Sequence, residues 1–66
     1  MTNIKTRREL RKMTQKELAE KAKISLRTLQ DYEQGRKSIN QAAAVTVCRL
    51  ADVLECDARD LLENEN

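Results

Sequence analysis

Three times in 66 residues the chain repeats one device: an apolar residue, a side chain able to cap a helix, and a second apolar residue four positions after the cap. The triplets are Met13, Thr14, Leu18; Ile24, Ser25, Leu29; and Cys56, Asp57, Leu61. A cap oxygen accepts from an amide in the first helical turn, while the flanking apolar pair staples the entering chain to the helix. Glu17 and Asp60 stand three residues beyond their caps, where a carboxylate reaches back to the cap amide. Each triplet fixes a helix start, so the chain must divide into short helices. There is no proline and a single glycine, which argues against a sandwich of turns. A first helix near 3–12, helices at about 15–22 and 26–34, a fourth opened by an Asn40 cap over "QAAAVTVCRLADVL", and a fifth after Asp57 make five. Gly35 is the natural residue to close the helix that Ser25 opens.

At this length one domain, 1–66, is expected, with a core built from aliphatic side chains because Tyr32 is the only aromatic residue. Leu18, Ala19 and Ala22 share a face of the second helix, Leu29 and Tyr32 share a face of the third, and Ile24 plugs the turn between them. Two short helices joined by so few residues must cross steeply, which is the geometry of a helix-turn-helix over about 15–34. In the fourth helix Ala44, Val47, Cys48, Ala51 and Leu54 are expected on the core side. Val45 and Val53 flank Arg49 on a narrow second stripe, either packed beneath a neighbouring helix or, with Leu62, available to a second copy.

Charge is unevenly distributed. Residues 1–37 carry eleven Lys or Arg against five acids, and residues 38–66 carry two against six. The basic half is a candidate surface for a polyanion. With two cysteines and no histidine, a tetrahedral zinc site cannot be completed by its usual ligands, and Cys48 and Cys56 read as small buried hydrophobes in a reducing cytoplasm. There is no base beside a nucleophile and no phosphate-cradling glycine loop, so neither an enzyme nor a bound cofactor is expected. The longest uncharged run, "SINQAAAVTVC", is too short to span a bilayer.

"TQKELAEKAKISLRTLQDYEQG" resembles the helix-turn-helix of the Cro and phage-repressor-like, XRE-type DNA-binding domains, and the likeness continues into "LADVLECDARDLL". It implies an all-α, five-helix, lambda-repressor-like fold. The implied activity is sequence-specific binding of double-stranded DNA by a small bacterial or phage regulator, usually a repressor and usually a homodimer. An interaction module on the same fold, antitoxin-like or an adaptor that meets a protein through helices four and five, is the other reading. Lys23 and Glu55 stand where the family commonly has glycine in the left-handed conformation that ends a helix. The link "RKSINQAA" is longer than the family's usual turn.

The polar face of the third helix then becomes a reading surface. Arg27 can donate twice to a guanine edge, Gln30 and Asp31 suit other base edges, and Leu26 and Thr28 lie at the helix start, which enters the major groove first. Gln15 opens the second helix, where free amides favour a phosphate, and by resemblance it clamps the DNA backbone. Gln34, Arg36 and Lys37 follow the third helix and can contact phosphates as well. Glu33 falls on the core side and needs a partner. The resemblance supplies Arg8, which would pair with Glu33 and be oriented by it toward a phosphate.

Overall fold

The capping devices govern where the chain turns. The computed structural model describes residues 2–64, and Glu65, one of the acids counted above, lies outside them. Four α-helices, α1 (Asn3–Leu10), α2 (Gln15–Ala22), α3 (Leu26–Glu33) and α4 (Ala44–Leu54), are joined by short links, with single 3₁₀ turns at Ile39–Gln41 and Ala58–Leu61. The described residues contain no strand. At the start of α2 the Thr14 hydroxyl accepts from the Glu17 amide at 3.1 Å, and the Glu17 carboxylate accepts from the Thr14 amide at 2.9 Å. Ser25 accepts from the Thr28 amide at 3.0 Å to open α3.

All four helices end alike. Beyond each, one residue turns left-handed: Lys12, Lys23, Gly35 and Glu55, with φ of 57°, 60°, 78° and 56°. In each case the next amide returns to a carbonyl near the start of the last turn, as Ile24 does to Ala19 at 3.0 Å and Arg36 to Asp31 at 2.9 Å. The left-handed conformation expected of Lys23 and Glu55 is therefore present, and Lys12 adopts it too. That turn ends α1 at Leu10 instead of residue 12 and swings Met13 onto the core.

Ile4, Leu18, Ala19, Ala22, Leu29, Ile39, Val47, Leu50, Ala51, Leu54 and Leu61 form the buried centre. α2 lies against both α3 and α4, and the small Ala19 keeps these packings close. A leucine truncated to alanine in such a core costs about 2–5 kcal/mol.

Three expectations are corrected. Asn40 does not cap α4. Its side chain is engaged across the molecule, donating to the Glu63 carbonyl at 2.7 Å and accepting from the Glu63 amide at 2.8 Å, and α4 begins only at Ala44 with no side-chain cap. The fifth helix is a single 3₁₀ turn, opened by an Asp57 amide bonded to the Asp60 carboxylate at 3.1 Å. Finally, the buried stripe of α4 is Val47, Leu50, Ala51 and Leu54, which leaves Ala44 and Cys48 exposed and Cys56 half-buried. Val53 packs against the core while Val45 faces outward.

Candidate nucleic-acid interface

Four segments are linked to one another: α1 through Arg8, the first turn of α2 through Gln15, α3 through Glu33 and Asp31, and residues 34–37 through their return to Asp31. Arg8 and Glu33 join them at the centre. The Arg8 Nε donates to Glu33 Oε2 at 2.7 Å, Nη2 to Oε1 at 3.1 Å, and Nη1 to the Met13 carbonyl at 2.7 Å. Only 1% of the Glu33 side chain is exposed, so its carboxylate depends on this partner. The hydrogen bonds that Arg8 donates to Glu33 in turn hold the Arg8 pKa above its ordinary value, against the opposing effect of burial. The Thr2 hydroxyl adds a bond to the Glu33 carbonyl at 3.2 Å, which secures the start of α1 to the end of α3.

Gln15 extends this lattice outward. Its Nε2 donates to Glu33 Oε1 at 3.0 Å, and its Oε1 accepts from Gln30 Nε2 at 3.4 Å. The Gln15 side chain thus faces the third helix with one Nε2 hydrogen committed to Glu33, and the start of α2 can offer a phosphate the second hydrogen and its backbone amides. The earliest amides of a helix have no carbonyl one turn back and lie at the positive end of the dipole. Thr14 occupies the Glu17 amide, and Lys16 stands exposed beside the remaining two. Lys16 is a basic residue that sequence reasoning passed over, although its place in the first turn was the available signal.

Along α3 the candidates separate. Leu26 and Arg27 are exposed, and 77% of the Arg27 side chain is open to solvent. Thr28 is half-buried and its hydroxyl accepts from Ser25 Oγ at 2.7 Å, which leaves its own O–H and its methyl group to offer. Gln30 is half-buried beside Gln15, while Gln34, Arg36 and Lys37 are exposed. Leu29 is buried, with Tyr32 and Ile24 partly buried against the core.

Two candidates do not occupy the open face. Arg8, expected to reach a phosphate, has only 12% of its side chain exposed and three of its N–H groups engaged. Asp31, expected among the base-reading residues, is buried, with Oδ1 hydrogen-bonded to no donor among the described residues. Cations surround it at longer range: Arg27 Nε at 3.5 Å, Arg36 Nη1 at 3.7 Å and Lys37 Nζ at 4.0 Å. The link after Gly35 curls back over it, because the Arg36 and Lys37 amides both donate to the Asp31 carbonyl, at 2.9 and 3.2 Å. The Arg27–Asp31 pairing at i, i+4 was legible in the sequence. The return of Arg36 and Lys37 was not.

The described residues contain no helix long and apolar enough to cross a membrane. Comparison with protein families finds one whose description is helix-turn-helix, matched over residues 4–61. Neither the curated proteins nor the solved structures give a match.

Proposed function

The chain belongs to the XRE-type helix-turn-helix family of DNA-binding regulators, and from that premise we propose that it binds double-stranded DNA sequence-specifically, as a repressor, with α3 in the major groove. The observation that carries this reading is the first turn of α3, where the exposed Leu26 and Arg27 project from a helix held by the lattice of Arg8, Glu33 and Gln15. Rigid support for an exposed guanidinium is what bidentate recognition of a guanine requires. Arg27 reads a base edge, Leu26 and the Thr28 methyl meet thymine methyls, and Gln30 lies close enough to Gln15 to couple a base contact to the backbone clamp. Gln34, Arg36, Lys37 and the amides at the start of α2 hold phosphates, with Arg8 as the internal brace that fixes α1 against them. The surplus of basic residues over 1–37 draws the polyanion in.

An eight-residue helix is about 12 Å long, enough for roughly three or four base pairs. A second copy is therefore part of the reading, and the DNA site is two half-sites about one helical turn apart. The surface proposed for that contact carries exposed Val45, Cys48 and Leu62 beside a shallow apolar groove of about 250 Å³. As a DNA regulator of this kind the protein acts in the cytoplasm.

The test is a salt titration of binding to a duplex selected by the protein from a random library, read by fluorescence anisotropy. Wild type should lose affinity steeply as salt rises. Arg27→Ala should cost about 1–3 kcal/mol against the selected duplex and little against a scrambled one. If no duplex binds at low salt, the DNA reading is wrong and the face bearing Val45 and Leu62 becomes the place to look for a protein partner. If Leu62→Lys leaves binding to paired half-sites as cooperative as before, the dimer surface has been misassigned.

A further inference from the structure

We infer that Asp31 is a positioning residue of the DNA-binding face: its buried carboxylate gathers Arg27, Arg36 and Lys37 into one cationic arc and fixes the register in which base reader and phosphate contacts meet the duplex. The inference rests on the DNA reading above and deepens it.

Three observations lead there. First, Asp31 cannot itself read a base through Oδ1, because that oxygen is shielded from solvent by the fold. A buried carboxylate oxygen without a hydrogen bond is costly, so its surroundings must compensate by charge. Second, the compensating groups come from both ends of the interface. Arg27 lies one turn earlier on α3, while Arg36 and Lys37 belong to the link that follows it. The Asp31 carbonyl holds that link by its backbone, so one residue controls both the path of the link and the direction of its side chains. Third, the cations are gathered without being sequestered. Their side chains stay 77%, 61% and 57% exposed for Arg27, Arg36 and Lys37. The separations of 3.5 to 4.0 Å are longer than the 2.7–2.9 Å of a strong charge-assisted bond.

One carboxylate against three cations leaves two positive charges for the duplex. More important, it restricts three long side chains before binding, so less conformational freedom is lost when they meet their targets. Phosphate contacts alone carry no sequence information. Tied through Asp31 to the base reader Arg27, Arg36 and Lys37 set where along the groove Arg27 arrives.

The experiment compares Asp31→Asn with wild type on the wild-type-selected duplex and a scrambled duplex, with the exposed α4 carboxylate changed in Asp52→Asn as a control for charge. Removing the carboxylate should tighten binding to the scrambled duplex and steepen its salt dependence by about 0.9 in log–log slope, the effect of one released cation. The preference for the selected duplex should fall by about tenfold, the size of one misplaced base contact, while Asp52→Asn leaves that preference intact. A preference for the selected duplex retained within about twofold in a folded Asp31→Asn would overturn the inference and leave DNA binding standing. No binding by wild type to either duplex would remove both.

Should Asp31→Asn not fold, the surface variant Arg36→Gln with Lys37→Gln decides. Positioning predicts a loss of preference as well as affinity. An equal loss on both duplexes marks plain phosphate contacts and contradicts the inference.

Discussion

Glu33 and Asp31 are two acids on the same helix, two residues apart and both buried, yet they are held in opposite ways. Glu33 has a forked guanidinium at 2.7 and 3.1 Å and an amide from Gln15, all from elements that precede α3. Asp31 has three cations that are more than half exposed, and an oxygen that is hydrogen-bonded to no donor among the described residues. The first arrangement is specific and fixed, and it belongs to the fold. The second is electrostatic, with separations of 3.5 to 4.0 Å, and it leaves the outer parts of its cations open to solvent. Burial alone therefore does not distinguish an acid held by hydrogen bonds from one held by charge at longer range. The geometry of its partners does.

The largest expected effect would come from Arg8→Ala. It leaves Glu33 buried without its cation and should cost about 3–5 kcal/mol, measured by urea or thermal unfolding. Asp31→Asn, whose cationic partners are more than half exposed, should change stability by no more than about 1 kcal/mol. Equal losses in the two variants would erase the distinction between the acids.

Next in size is the closure that folds the link back onto Asp31. Gly35 has φ of +78°, and a Cβ added there would meet nothing within 4 Å. Gly35→Ala thus tests conformation without a clash and should cost on the order of 1 kcal/mol. Lys23→Gly, at the corresponding turn after α2, should stabilise by a comparable or slightly smaller amount, reduced by the greater freedom of glycine in the unfolded chain. A Gly35→Ala change that left both stability and the preference for the selected duplex untouched would separate this turn from Asp31.

The smallest effect concerns the start of α2, next to the Gln15 that braces Glu33. Hydrogen bonds from the Thr14 amide and hydroxyl keep the Glu17 pKa below its ordinary value. A carboxyl group whose pKa is lower in the folded state contributes stability above its ordinary pKa and loses that contribution as pH falls through the lowered value. Wild type and Glu17→Gln should therefore differ in melting temperature at neutral pH and converge in acid. A difference that persisted under strong acid would refute the cap as its source.

The sequence disclosed what is local. Thr14 with Glu17, Ser25, and Gly35 announce helix ends within a few residues of themselves, and Leu18, Ala19, Ala22 and Leu29 follow from periodicity. What it hid was set by distant partners. Asn40 has the chemistry of a cap, but Glu63 lies 23 residues away and takes both ends of its amide. Asp31 lies near the polar side of a helical wheel, yet it is buried, and the Arg36 and Lys37 amides return to its carbonyl. In α4 a stripe centred one position off replaced Leu50 with Cys48, because Ala44 and Cys48 fit the helical period almost as well.

On the proposed function, α3, the start of α2 and residues 34–37 make one DNA-binding surface supported from behind by Glu33. The most direct test is amide NMR of the labelled protein titrated with its selected duplex. Shifts should concentrate at Gln15, Lys16, Leu26, Arg27, Gln30 and residues 34–37, with the outward face of α4 quiet or changed only where a second copy packs. Shifts confined to α4 and Leu62, with α3 unmoved, would rule out α3 as the helix that meets DNA.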